Sequence, residues 1–180
     1  MTLFEYLSVA ISIVLSLSAA QLLGNLREVF DPARRYWVHA LWVLQTLWLH
    51  VLYWWSMWAY REVESWNLLS FAFVLLVPAL LFMSSSALVP SYATSVSSWD
   101  DHFFKVRRWY FAARSLLVVF AGLRSWLLLD STPPPLSGLI LVACVAGFVS
   151  SNRWLHAVLV VITSVAMSGV AYTRIKVGAA

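Results

Sequence analysis

Long apolar stretches, separated by short polar connections, run through almost the whole chain and limit what it can fold into. The hydrocarbon core of a bilayer is about 30 Å thick, and a helix crosses it with about 20 apolar residues. Five stretches meet or approach that length and a sixth is shorter; they lie near 3–23, 36–60, 66–89, 109–129, 137–150 and 155–172. The sequence therefore predicts an all-α fold, a polytopic transmembrane helix bundle, as a single domain over residues 1–180.

The fifth stretch, LSGLILVACVAGFVS, is the weakest candidate for a crossing. Its roughly 14 apolar residues are few for a complete span. It is expected to be a short span or a re-entrant piece buried against its neighbours, and the second alternative leaves five spans. The preceding segment, DSTPPPLS, ends the helical pattern because three successive prolines cannot continue a helix.

Charged residues are scarce, and this excludes several classes of function. Only 11% of the residues are charged, where a soluble domain carries about 25%. The basic residues form no patch interleaved with aromatic residues, so nucleic-acid binding is not expected. The sequence has no HExxH, CxxC or Gly-rich phosphate-loop motif. We therefore expect a non-enzymatic protein with no cofactor and no metal, whose surroundings are membrane lipid.

The basic residues of the loops predict an orientation, because Lys and Arg are enriched in cytoplasmic loops. With the N-terminus outside, the cytoplasmic connections hold seven of them: Arg27, Arg34, Arg35, Lys105, Arg107, Arg108 and Arg153. The opposite side holds three: Arg61, Arg174 and Lys176. We therefore expect the N-terminus outside, and six spans place the C-terminus outside as well.

Small residues recur at every fourth position of the first span: Ser8, Ser12, Ser16, Ala20 and Gly24. Small side chains let helix backbones approach closely, and such a ridge is typical of helix contacts in lipid. Packing within the bundle is the first interpretation. A seam between copies of the chain, and a pore-lining serine stripe, are the alternatives. We expect a homo-oligomer or a partner within a membrane complex.

The second span is rich in tryptophan and carries two histidines, His39 and His50. Six of the eleven tryptophans lie in it or at its edge: Trp37, Trp42, Trp48, Trp54, Trp55 and Trp58. The histidines share a helix face but lie about 16 Å apart along the axis, too far to bind one metal ion. They are weak candidates for haem ligands. The alternative is that they form hydrogen bonds across the bundle.

The segment SSWDDHFFKVRRWYF precedes the fourth span and has an apolar stripe at helical spacing. Ser97 or Ser98 is a suitable N-cap. We expect an interfacial amphipathic helix that runs straight on, or after a bend, into the span. Its basic side chains are expected to be interfacial anchors: Lys105, Arg107 and Arg108.

Two arginines, Arg114 and Arg124, interrupt the apolar run of the fourth span. Helical side chains lean toward the helix N-terminus. Arg114 is therefore expected to reach the near interface as a further anchor, while Arg124 leans into the membrane and needs a partner. Glu5, at a matching depth in the first span, is the expected partner. The spare hydrogen bonds of this pair are assigned to Asn67, Ser70 and Tyr6.

Two segments, FEYLSVAISIVLSLSAAQLLGNL and HFFKVRRWYFAARSLL, resemble a group of small multi-pass bacterial membrane proteins to which no function is assigned. The resemblance covers much of the chain. It implies a bacterial inner membrane and nothing catalytic.

Three functions are compatible with these patterns. The first is a sensor, or an accessory or structural subunit of a membrane complex. The second is a small transporter or channel for an anion or amphiphile, with Glu5 and Arg124 in its site. The third, which ranks last, is a haem or quinone redox protein that uses His39 and His50.

Overall fold

A computed structural model of the chain describes residues 3–63 and 65–177, in which every regular element is a helix. The α-helices are α1 (Leu3–Gly24), α2 (Leu26–Val29), α3 (Trp37–Ser56), α4 (Leu68–Leu88), α5 (Trp99–Leu129), α6 (Leu136–Val149) and α7 (Arg153–Val177). A 3₁₀ helix, Met57–Glu62, continues α3, and a shorter one, Ala93–Ser95, precedes α5. The predicted all-α class is confirmed for this part of the chain.

Four of the helices, α1, α4, α5 and α7, are long and apolar enough to cross a membrane. α3 has 20 residues and is not among these four. α6 has 14 residues and is about 21 Å long, shorter than the hydrocarbon core of about 30 Å. The chain thus has the helices of a multi-pass membrane protein, and the number of crossings and the orientation stay predictions.

The bundle has two ends, which we name after Trp99 and Asp130. At the Trp99 end, the Trp99 indole donates a hydrogen bond of 2.7 Å to the carbonyl of Glu28. An ion pair of 2.5 Å between Arg153 and Asp100 joins the start of α7 to the start of α5 there. At the Asp130 end, α5 finishes in a left-handed C-cap at Asp130, with φ of 42°. The helices therefore place the start of α5 and its last turns at opposite ends of one bundle.

α5 is one continuous helix of 31 residues, which changes the interpretation of the segment before the fourth span. The side chain of Ser98 accepts a hydrogen bond from the Asp101 N–H, so the predicted N-cap is confirmed. The apolar stripe does not lie on an interface, because Trp99 and Phe103 are buried in the main hydrophobic core. Arg107 is buried as well, and only the other two predicted anchors are exposed: Lys105 and Arg108.

The predicted ridge of small residues on α1 is not the face that packs inside the bundle. The buried residues of α1 are Leu7, Ile11, Leu15, Ser18 and Leu22. The ridge residues are half-buried at one end and exposed further along: Ser8, Ser12, Ser16, Ala20 and Gly24. The apolar face is the buried one because its larger side chains fill the space against α3 and α4, which the small side chains of the ridge would leave empty. A seam between copies of the chain stays a prediction.

A close approach at Gly147 of α6 gives a test of this packing. A Cβ atom on Gly147 would lie 2.6 Å from Cζ of Phe111, and Phe111 is fully buried against Trp42. Gly147→Ala is therefore expected to lower the free energy of unfolding by about 1–3 kcal/mol, the usual cost of overpacking. Thermal unfolding in lipid nanodiscs measures the change.

Gly138 in the same helix is the matched control, because a Cβ atom there meets nothing within 4 Å. Gly138→Ala is expected to be neutral or to stabilise by less than about 1 kcal/mol, since alanine restricts the unfolded chain. Equal stability of the two variants would contradict the packing of α6 on α5.

Candidate functional site

α5 carries both predicted intramembrane arginines into the interior of the bundle. Arg114 is 1% exposed and Arg124 is 2% exposed. The prediction that Arg114 is an interfacial anchor is therefore wrong. Its side chain does lean toward the helix N-terminus, but this direction brings it onto Tyr110 of the preceding turn rather than to the membrane surface.

Neutral side chains of three helices surround Arg114. Its guanidinium donates to the Tyr110 hydroxyl at 2.6 Å and to Oε1 of Gln45 at 2.9 Å. It also contacts Sδ of Met167 at 3.2 Å and lies 5.1 Å from the centre of the Trp42 ring. These contacts satisfy two of its nitrogens without neutralising its charge, and Nε has no hydrogen-bond partner among the described residues.

Gln45 fixes the position of Arg114 by joining α3 to α7. Its amide nitrogen donates to the Val160 carbonyl and to the Ser164 hydroxyl, each at 2.7 Å. This leaves its carbonyl oxygen turned toward the guanidinium of Arg114. Gln45 is not among the residues predicted from the sequence, although an amide in the middle of an apolar span is a signal of a bundle-facing hydrogen bond.

Arg124 has fewer polar partners than Arg114. Its Nη2 donates a long hydrogen bond of 3.3 Å to the Ser56 hydroxyl. Its guanidinium lies 5.1 Å from the centre of the Tyr53 ring and 5.2 Å from that of Tyr60. Nε and Nη1 have no hydrogen-bond partner among the described residues. Aromatic faces attract a cation, but they leave these two N–H donors available for an acceptor.

The predicted ion pair between Glu5 and Arg124 is not formed. Glu5 lies on the exposed face of α1, whereas Arg124 faces Ser56 and the tyrosine rings inside the bundle. The pairing failed because Glu5 is two residues before Leu7, the start of the buried face of α1, and so points away from it.

The three residues assigned to that pair also lie elsewhere. Asn67 and Ser70 form a capping box at the start of α4, in which each side chain accepts from the other's backbone N–H. Tyr6 is 58% exposed and stacks on Phe71, with 5.9 Å between ring centres. These residues stabilise the start of α4 rather than the position of the Arg124 side chain.

A proline in α4 positions one of the rings around Arg124. Pro78 lies inside α4 and is buried, and it has no N–H for the carbonyl of Val74 four residues earlier. The Tyr53 hydroxyl donates to this carbonyl at 3.1 Å. The hydrogen bond satisfies the freed carbonyl and holds the face of the Tyr53 ring toward the guanidinium of Arg124.

Both arginines line one internal cavity of about 130 Å³. Three serines join them in the lining: Ser56, Ser125 and Ser137. The remaining lining residues are mostly apolar: Leu49, Leu52, Tyr53, Val77, Leu81, Leu117, Val118, Ala121, Gly122, Pro133, Pro134, Ile140, Met167 and Val170. Among the described residues of this lining, none is Asp, Glu or His.

The cavity therefore concentrates positive charge in a region of low polarity. A guanidinium removed from water loses hydration free energy, which neutral partners offset only in part. A carboxylate or phosphate in the cavity would accept the spare N–H groups and neutralise the charge. Guanidinium groups suit these anions because their planar N–H donors match two oxygens at once.

The two histidines of α3, which the sequence suggested as weak haem ligands, form contacts with neighbouring side chains and backbone. His50 bonds Thr46 O through Nδ1 and the Ser18 hydroxyl through Nε2, both at 2.7 Å, so the predicted hydrogen bond across the bundle is confirmed for it. His39 stacks on Trp99, with 4.8 Å between ring centres. A haem iron would displace the existing partners of His50. In the part of the chain that the structure describes, no three His, Cys, Asp or Glu side chains are arranged to hold a metal ion.

Both site arginines belong to α5, and most of their partners come from α3, the 3₁₀ helix after it and α7, so the site depends on the whole bundle rather than on a local motif. The resemblance to the group of bacterial membrane proteins stays a prediction. Comparisons of the chain with protein-family models, with curated proteins and with solved structures give no match.

Proposed function

We propose that this protein is a non-enzymatic membrane protein that binds an anionic amphiphile through the cavity between α3, α5 and α7. The observation that carries the proposal is the pair of buried arginines in a lining without an acidic side chain among its described residues. Arg124 is the main contact for the anion, since two of its nitrogens lack a partner among the described residues.

The size of the cavity and its apolar walls favour an amphiphile with a small headgroup. A volume of about 130 Å³ is below the roughly 300–1,000 Å³ of pockets that enclose a whole small-molecule ligand. It accommodates a carboxylate or a phosphate, and leaves an attached hydrocarbon chain to lie outside it. The predicted site for an anion or amphiphile is thus retained around Arg124, with Glu5 removed from it.

Binding of this kind serves a transporter or channel, and it equally serves a sensor or an accessory subunit of a membrane complex. We place the protein in the bacterial inner membrane with its N-terminus and the Asp130 end outside, following the distribution of basic residues. In that orientation the Arg124 side of the cavity faces the outer half of the bilayer.

Three probes with the same dodecyl chain and different headgroups test the proposal. Dodecyl phosphate is expected to bind saturably to the protein in nanodiscs of zwitterionic lipid, measured against nanodiscs that lack the protein. Dodecanol and dodecyltrimethylammonium are expected to bind at least about tenfold more weakly, because each charged hydrogen bond contributes about 1.5–3 kcal/mol. Equal affinity for the three probes would contradict an anion site.

A further inference from the structure

A second depression lies between α5 and α6 and shares a wall with the cavity. Its volume is about 360 Å³, and four residues line both spaces: Val118, Gly122, Pro133 and Ser137. On its outer side Leu123 is 39% exposed and Trp126 is 63% exposed. The described residues that line this groove carry no charge. We call it the α5–α6 groove.

Gly122 lies where the groove and the cavity adjoin, since it lines both spaces. A Cβ atom built there would meet Cγ of Pro133 at 3.5 Å, an ordinary contact. Gly122 has only a hydrogen atom at this point, where any other residue would place a side chain between α5 and Pro133. A longer side chain at this position would therefore fill space beside Pro133 that both the groove and the cavity adjoin.

The cavity and the α5–α6 groove suit different parts of an amphiphile. The cavity holds the arginines and has room for a small headgroup, while the groove is uncharged and more open. A hydrocarbon chain gains about 0.8 kcal/mol for each CH₂ group that it buries. The headgroup thus belongs inside, against the guanidinium groups, and the chain belongs in the groove.

We propose that the α5–α6 groove is a lateral portal that holds the chain of a single-chain anionic lipid, which enters from the bilayer with its headgroup on Arg124. This inference rests on the proposed anion site and adds its entry route and ligand class. The occupant is a lipid rather than a partner helix because the groove leads to two buried cations, which a headgroup neutralises and an apolar helix face does not.

The position of the portal fits this occupant. α6 has only 14 residues, and Pro133 to Pro135 directly precede its start at the Asp130 end. Trp126 stands on the rim, and tryptophan favours the level of lipid headgroups. A lipid therefore meets the groove near its own headgroup depth.

Two leucine substitutions block the portal at different points. Gly122→Leu fills the space beside Pro133, where the groove and the cavity adjoin. Gly138→Leu fills the groove alone, since Gly138 lines the groove but not the cavity and a Cβ atom there meets nothing within 4 Å. Gly24→Leu is the matched control, because Gly24 lies at the end of α1 with the same open surroundings.

Binding of dodecyl phosphate and of methyl phosphate to each variant in nanodiscs tests the portal. Both portal variants are expected to lower the affinity for dodecyl phosphate by about tenfold or more, since two or more buried CH₂ groups are lost. Methyl phosphate binding by Gly138→Leu, and dodecyl phosphate binding by the Gly24→Leu control, are expected to stay unchanged, because neither residue lines the cavity.

The outcomes separate the portal from the anion site itself. If Gly138→Leu folds and binds dodecyl phosphate as tightly as the native chain, the portal is refuted while the anion site stands. If the native chain binds neither phosphate, the anion site fails and the portal fails with it. Equal losses for both phosphates in Gly138→Leu would also refute the portal, because the chain would then not be the part that the groove holds.

Discussion

Arg124→Gln is expected to lower the affinity for dodecyl phosphate by at least about tenfold, because it removes charged hydrogen bonds of about 1.5–3 kcal/mol. The same substitution is expected to leave the thermal unfolding temperature unchanged or higher. Arg124 is 2% exposed, and its partners are a serine and two aromatic rings. A neutral side chain therefore removes a desolvation cost without breaking an ion pair.

Two further variants control this result. Arg124→Lys keeps the charge but loses the planar donor set, so an intermediate affinity is expected. Arg108→Gln removes an exposed arginine from the same helix and is expected to leave binding unchanged. Normal binding of dodecyl phosphate by Arg124→Gln would refute the anion site. A fall in its thermal unfolding temperature as large as that caused by breaking a buried ion pair would also refute it, because Arg124 would then be a structural residue.

Gln45→Leu is expected to destabilise the bundle by about 1.5–3 kcal/mol, the contribution of a hydrogen bond to a charged group. Its carbonyl oxygen is an acceptor for Arg114 at 2.9 Å, and its amide nitrogen holds α7 through Val160. Leucine has a similar volume, so the loss arises from the missing hydrogen bonds rather than from a cavity. Thermal or denaturant unfolding in nanodiscs measures the difference.

Gln21→Leu is the matched control for this loss. Gln21 also bonds across the bundle, with its amide nitrogen 2.6 Å from the Val89 carbonyl, but it has no arginine beside it. Its replacement is expected to cost about 1 kcal/mol, the net value of a neutral hydrogen bond. Equal losses for the two glutamine variants would contradict the assigned role of Gln45 in supporting Arg114.

The burial of Arg124 could be predicted from the sequence, but its surroundings could not. The direction of its Cα–Cβ bond follows from the direction of the helix, and an intramembrane charge requires a partner inside the bundle. Which helix supplies the partner depends on the rotation of each helix about its axis. The small residues of α1 suggested a rotation that the buried face of Leu7, Ile11 and Leu15 overturns.

The error at Arg114 has a different cause, the assumed start of the membrane-spanning part of the helix. With a span that begins at residue 109, Arg114 lies close to the end and reaches the interface. α5 begins ten residues earlier, at Trp99, and places Arg114 in the middle of 31 helical residues. Its partners Gln45 and Met167 belong to helices distant in the sequence, and no local pattern specifies such contacts.

The central claim is that the buried arginines bind the headgroup of an anionic amphiphile inside the bundle. The most direct test is a solid-state NMR distance between a ¹³C-carboxyl label on bound laurate and the ¹⁵N-labelled guanidinium nitrogens of arginine. A charge-assisted hydrogen bond predicts a separation within about 4 Å, which Arg124→Gln abolishes and Arg108→Gln leaves in place. A labelled carboxylate that stays at the lipid surface, with the same arginine distances in the native chain and in Arg124→Gln, would contradict the claim.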